Sequence, residues 1–203
     1  MNWQEFTALL VLATARSFTP GPNTTRSTAL AANHGLRRTL PFICAVPLGW
    51  GLLLSLWTLG LGALLLALPL LNWAVKLVGV TYLLWLASKI ARSHQLSEAN
   101  ASRLNVTFWQ GAALQFVNIK AWMLALSIVS GWIAGRDEPA LRFAVVLPVM
   151  LAFAFASNLT YALIGSLLRD WLSGPAGTSR RLRWFNRVMA GVLVVTAIWM
   201  LFI

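Results

Sequence analysis

The sequence predicts an all-α integral membrane protein of six transmembrane helices, and three observations predict it. Only 10% of the 203 residues are charged and 59% are hydrophobic, where soluble domains carry about 25% charged residues. The charges are segregated, with no Lys, Arg, Asp or Glu from Thr39 to Val75 or from Phe143 to Leu168. Stretches of that length exceed the roughly 20 apolar residues needed to cross about 30 Å of hydrocarbon at about 1.5 Å per residue. Finally, the basic residues gather on alternate connections between the apolar runs, as they do when one set of loops stays in the cytoplasm.

Taken in order, helix 1 is expected near Trp3 to Thr25. Its run begins without a basic segment and carries Arg16, so it reads as a permanent helix and not as a cleaved signal. The segment Thr24 to Gly35 either extends helix 1 or forms a short interfacial helix of its own. Helix 2 is expected near Pro41 to Leu68, and after a turn at Pro69 and Leu70 helix 3 runs near Leu71 to Ala91. Helix 4 is expected near Phe108 to Ala134, helix 5 near Phe143 to Leu168 and helix 6 near Phe185 to Ile203. The chain reads as one transmembrane domain, 1–203, with halves of about 1–92 and 104–203. Helices 1 and 4 cross in opposite directions, so halves that share a fold form an inverted repeat, the architecture of many secondary transporters.

The charge balance follows the same frame. The connections after helices 1, 3 and 5 hold Arg26, Arg37 and Arg38; Lys89, Arg92 and Arg103; and Arg169, Arg180, Arg181, Arg183 and Arg187. The connections on the other side hold only Arg136 and Arg142. This bias puts the odd-numbered connections in the cytoplasm and both termini outside. It also accounts for the formal charge of +11 without nucleic acid as a partner. Trp3, Trp73, Trp109, Trp132, Trp171 and Trp184 fall near predicted helix ends, where amphipathic rings anchor at the interface. The other tryptophans lie deeper and are expected to pack.

Two motifs carry candidate chemistry. In Thr19-Pro20-Gly21-Pro22-Asn23, two prolines remove backbone donors and clash with the preceding turn, so the helix must end or break. Only the run Phe6 to Thr19 precedes it, too short to span alone. Inside lipid, freed backbone groups need protein or water as partners, and broken helices at mid-membrane are where transporters bind solutes and ions. In Gln115-Phe116-Val117-Asn118-Ile119-Lys120, an amide and an ammonium sit in a long apolar segment, where an ionisable group is costly unless paired or hydrated. Lys120 either faces a polar site or snorkels to the interface. Counting rise per residue puts Pro20 about 20 Å in from one face and Lys120 about 18 Å in from the other, so a shared central site is open to both. Arg16, one turn before the break, either pairs with a solute carboxylate or with carbonyls the break releases. In Lys76-Leu77-Val78-Gly79-Val80-Thr81-Tyr82, Gly79 permits close helix approach and Lys76 is expected to snorkel.

What is absent narrows the function further. The sequence holds no phosphate-binding loop, nucleotide fingerprint or nucleophile–base set. Glu5, Glu98, Asp137, Glu138 and Asp170 all fall at predicted helix ends or loops, so no buried carboxylate relay is evident. The single cysteine, Cys44, excludes an internal disulfide and reads as a small apolar helix residue. His34 and His94 fall in predicted loops and suggest neither a catalytic pair nor a metal site. No cofactor is expected.

On these residues the chain resembles the lysine exporter and homoserine/threonine resistance (LysE/RhtB) family of amino-acid exporters. The resemblance rests on Thr19 to Asn23, on Asn33-His34-Gly35, on Gly79, Tyr82 and Leu83, and on Ala113 to Lys120. The last of these looks like the branch exporting cysteine and O-acetylserine, although many relatives carry Asn-Pro-Lys where this chain has Asn118-Ile119-Lys120. Arg16 and Arg26 depart from the apolar or small residues more usual beside the first motif. The resemblance implies a small bacterial inner-membrane exporter driven by the proton motive force, with both motifs near the translocation path. The expected solute is a small amino acid, cysteine/O-acetylserine-like or homoserine/threonine-like. Its path residues are Pro20, Gly21, Pro22, Asn23, Asn118, Lys120, Arg16 and Gln115. A membrane-embedded enzyme and a non-transporting assembly subunit are the alternatives, and a homo-oligomer stays open.

Overall fold

The computed structural model describes residues 1–60, 67–92, 107–173 and 180–201. Among them every regular element is helical. Helix α1 spans Trp3–Phe18, α2 Pro22–His34, α3 Leu36–Thr58 and α4 Pro69–Ala91. Helix α5 spans Phe108–Ala113 and continues as a 3-10 turn, Leu114–Val117. Helix α6 spans Ile119–Ile128 and ends in a π turn, Val129–Ile133. Helix α7 spans Pro139–Ser173 and α8 Arg180–Leu201.

The ends follow local chemistry. Asn2 caps α1 by accepting from the Glu5 backbone at 2.8 Å, while Glu5 accepts from the Asn2 backbone at 3.0 Å. This reciprocal box satisfies two donors that a helix start otherwise leaves bare. Thr107 and Gln110 repeat the device at the start of α5. Pro20 stops α1, and Pro22 opens α2 at a first-turn position where a missing N–H costs nothing. Gly35, at φ 82°, turns α2 directly into α3, a conformation that side chains with a Cβ rarely adopt.

Several sequence expectations are corrected here. Helix α3 starts at Leu36 and not at Pro41, because the turn at Gly35 sets its beginning; Pro41 and Pro47 lie inside it. Thr24 to Gly35 does not extend α1 but falls in a short helix of its own, which ends at the Gly35 turn. It belongs to α2, which lies beyond the break and is buried from Thr24 to Asn33. His34 is in the last turn of α2, not in a loop. The segment expected as one helix from Phe108 to Ala134 is two pieces bent by 70° at Asn118. Trp85 and Trp199 are about half exposed where packing was expected, whereas Trp50, Trp57 and Trp122 are buried as expected. Cys44 is exposed. The expectations for His94, Glu98, Arg103 and the Lys76 side chain lie outside the described residues.

Among the described residues three helices are long and apolar enough to cross a membrane: Leu36–Thr58, Pro139–Leu172 and Arg180–Trp199. The bent pair Phe108–Val117 with Ile119–Ile133 makes a fourth if it is one span. Of these, α3 is central, with 56% of its most apolar window buried against 17% for α7. The packing is reciprocal between the halves. The long helix α3 packs on α5 and its 3-10 turn, the long helix α7 packs on α2, and α4 pairs with α8. Glycine makes both crossings close. A Cβ on Gly49 of α3 would sit 2.6 Å from the Ala112 Cα, and one on Gly165 of α7 would sit 3.0 Å from the Thr28 Cα. Membrane helices associate through such close backbone packing and through polar links. Here the links include a buried reciprocal amide pair, Asn33 with Asn186 at 3.0 and 3.2 Å, and Ser27 donating to Asn158 at 2.9 Å. An apolar cluster with Trp57 edge-on to Trp122, ring centroids 5.9 Å apart, joins α1, α3, α6 and α7.

Candidate functional site

The two sequence motifs meet. At the first break Thr19 leaves the helix at φ −71° and ψ 128°, so the last carbonyls of α1 lose their intrahelical partners. Lys120 donates its Nζ to the Thr19 carbonyl at 2.7 Å, and Tyr161 of α7 donates its hydroxyl to the Phe18 carbonyl at 2.8 Å. The Thr19 hydroxyl turns back to the Ala15 carbonyl. On the far side of the break the Gly21 amide donates to the Thr24 hydroxyl at 3.0 Å, which starts α2. Lys120 passes close over Gly21, where a Cβ would lie 3.1 Å from both its Cδ and its Nζ.

The second break is at Asn118, at φ −93° and ψ 96°. Its backbone is closed by near neighbours. The Asn118 carbonyl accepts from the amides of Ala121 and Trp122 at 2.9 and 3.2 Å. The Phe116 carbonyl accepts from the Trp122 indole at 3.0 Å. The buried Asn118 side-chain Oδ1 has no hydrogen-bond partner among the described residues. A carboxamide link ties the breaks together, with Asn23 donating to Gln115 at 2.8 Å and Gln115 donating back at 3.2 Å.

Beside these contacts lies a cavity of about 70 Å³. Five helices supply its wall: Arg16 and Ser17 from α1, Pro22 to Thr24 from α2, Val46 and Trp50 from α3, Lys120, Ala121 and Leu124 from α6, and Met150, Ala154, Ser157 and Asn158 from α7. Gly21 and Asn118 complete it from the two breaks. Drug-sized sites run to about 300–1,000 Å³, so this space suits a solute of few heavy atoms. Its chemistry is mixed, with two cations, an unengaged amide oxygen and hydroxyls set in apolar walls.

Of the expected residues, Gly21, Pro22, Asn23, Asn118, Lys120 and Arg16 are brought together at this cavity. Pro20 is exposed and does not line it, because it forms the outer corner of the break. Gln115 is fully buried and holds Asn23 from behind. Of the two roles open to Arg16, holding the freed carbonyls falls to Lys120 and Tyr161 instead. Among the described residues Arg16 makes no hydrogen bond or ion pair. Sequence reasoning passed over Ser157, Asn158 and Tyr161. A signal existed, since they are polar residues one turn apart in the uncharged run from Phe143 to Leu168.

A family model described as LysE type translocator matches residues 14–202. The cysteine/O-acetylserine efflux protein of Salmonella typhimurium is 32% identical over 155 residues, covering 75% of this chain and 78% of that protein. The protein of that name from Escherichia coli is 32% identical over 159 residues, with the same coverage. No solved structure matches the chain.

Proposed function

This chain belongs to the LysE-type translocator family, a multi-pass membrane family of transporters and not of enzymes, and from that membership we propose that it exports a small neutral amino acid or derivative. The solute is of the cysteine/O-acetylserine or homoserine/threonine kind, in keeping with what the 32% identical efflux relatives are named for. It moves from the cytoplasm to the periplasm across a bacterial inner membrane by alternating access, coupled to the proton motive force.

In this reading the chain crosses six times. The broken pair α1–α2 and the broken pair α5–α6 each make one crossing, and α3, α4, α7 and α8 make the others. Each half then runs as a broken helix, a long helix and a third helix. The exchange of long helices onto broken helices between the halves supports an inverted repeat. Arg37 and Arg38 beside the α2–α3 turn, Lys89 and Arg92 at the end of α4, and the Arg residues at the end of α7 and the start of α8 support a cytoplasmic position for those ends, with both termini outside.

The observation that carries the proposal is the 2.7 Å contact of Lys120 with the Thr19 carbonyl at the wall of a polar cavity. It joins two helix breaks, one from each half, at one solute-sized space. The unengaged Asn118 Oδ1 accepts from the solute ammonium, and the carboxylate lies toward Lys120 and Arg16. Counterflow in proteoliposomes, run with a panel of amino acids, tests this and ranks solutes together. Wild-type protein is expected to exchange at least one small neutral amino acid. The double variant Asn118→Ala, Lys120→Ala is expected to insert normally and exchange none. Normal exchange by a well-inserted double variant would refute the site.

A further inference from the structure

A third cation is buried nearby with no carboxylate to balance it among the described residues. Arg26, one turn into α2 from the break, is 4% exposed. Its guanidinium donates to the Tyr82 hydroxyl of α4 and lies 5.1 Å from the centroid of the Phe42 ring. Its Nε is buried without a hydrogen-bond partner, and no carboxylate pairs with it among the described residues. Burying an unpaired charge is strongly unfavourable, and an ionisable group inside a membrane protein marks a solute path by default. Guanidinium suits the task, because its planar fork binds carboxylate in two parallel hydrogen bonds and its faces tolerate aromatic neighbours.

Arg26 lines a cavity of its own, of about 20 Å³, with Tyr82, Gly79 and Leu114. Pro22, Asn23 and Asn118 line both this cavity and the central one, so the two cavities share a wall. A space of about 10–15 Å³ admits one water-sized group, so the smaller cavity has room for a small polar group beside Arg26 and not for a whole amino acid. Along α2, Arg26 is about 7 Å from the break, toward the end that leads to Arg37 and Arg38.

We propose that Arg26 and its cavity form a carboxylate-binding station on the Arg37–Arg38 side of the first break, which receives the α-carboxylate of the solute before it enters the central cavity. This rests on the export reading. Under it that side faces the cytoplasm, so the solute meets Arg26 first and then passes between Asn23 and Asn118 to Lys120 and Arg16.

The test is counterflow with paired competitors, L-cysteine against L-cysteinamide under reducing conditions and L-threonine against L-threoninamide. Each pair differs only at the carboxylate. Wild-type protein is expected to favour the acid at least tenfold. Arg26→Gln, which removes the charge and leaves a polar amide, is expected to lower that preference about tenfold, and Arg26→Lys to restore part of it. A monodisperse Arg26→Gln protein with wild-type preference overturns the station while leaving export standing. Wild-type protein that exchanges none of the four overturns the export reading and the station with it. Should Arg26→Gln fail to fold, Tyr82→Phe decides: it frees the guanidinium, so preference for the acid should hold or rise, and a fall counts against the station. Acetate is expected to compete in wild type; equal competition by chloride would mean an inorganic-anion site and overturn the assignment to the solute.

Discussion

The two helix breaks face the same physical demand and meet it with different partners. At Thr19–Gly21 the freed carbonyls are taken by side chains far away in sequence, Lys120 and Tyr161. At Asn118 they are taken by Ala121 and Trp122, a few residues on. The first break therefore depends on the second half of the chain, whereas the second closes on itself and leaves its side-chain oxygen unengaged. A site that must bind and release needs both kinds of element: one that holds the helices in register, and one whose polar group is available to a solute. Buried acceptors without partners are rare and costly, so their position is informative, and this one belongs to a residue that lines the cavity.

The contrast is broken most severely at Lys120. Lys120→Met removes the charged donor of the Thr19 carbonyl, a hydrogen bond worth about 1–3 kcal/mol. It also removes a cation from the cavity. Counterflow is expected to fall at least a hundredfold, and the detergent-solubilised protein to melt at a lower temperature. A variant that melts like wild type would mean that the first break does not depend on the second half.

Asn118 should behave in the opposite way. Asn118→Ala removes a buried acceptor that nothing in the folded chain satisfies, while every backbone bond at the second break remains. Stability is expected to stay level or rise by up to about 1 kcal/mol, while exchange drops about tenfold or more. Gain in stability with loss of activity is the common signature of a group kept for function. A clear fall in melting temperature would show that Asn118 supports the fold, and the distinction between the breaks would collapse.

The difference in partners also explains what was legible in the sequence. The first break was readable because proline removes a donor whatever surrounds it. The second was not, because Gln115 to Lys120 holds neither proline nor glycine, and the segment kept an unbroken apolar pattern on both sides. Its polar residues marked chemistry but not shape. The burial of helix α2 was unreadable for the converse reason. Its Ser, Thr and Ala residues look interfacial by polarity, yet their small size is what lets α7 approach closely at Gly165 and bury them. The Asn23–Gln115 and Asn33–Asn186 pairs are out of reach for any periodicity argument, since each joins residues about a hundred or more apart in sequence. Depth alone left a shared site open to both motifs, because Pro20 and Lys120 were counted to similar depths; that Gly21, Asn23, Asn118 and Lys120 line one cavity is seen only in the fold.

The smallest expected effect is the most specific to this comparison. If backbone geometry at Asn118 sets the second break, a proline placed just after it should be tolerated. Asn118 already has the extended backbone that a following proline demands. Ile119 is the first residue of α6, where the amide has no intrahelical partner and proline fits. Ile119→Pro therefore loses part of a buried side chain that packs near Leu83 and Leu86, about 0.5–1.5 kcal/mol for a loss of this size. Against this, it gains about 0.4–1 kcal/mol from a stiffer unfolded chain. The melting temperature is expected to move by no more than a few degrees, and exchange to persist. Two residues on, Ala121→Pro deletes the amide that donates to the Asn118 carbonyl at 2.9 Å, and it should cost clearly more. If Ile119→Pro instead destabilises as much as Ala121→Pro, the bend at Asn118 is imposed by packing from outside, and the second break does not close on itself.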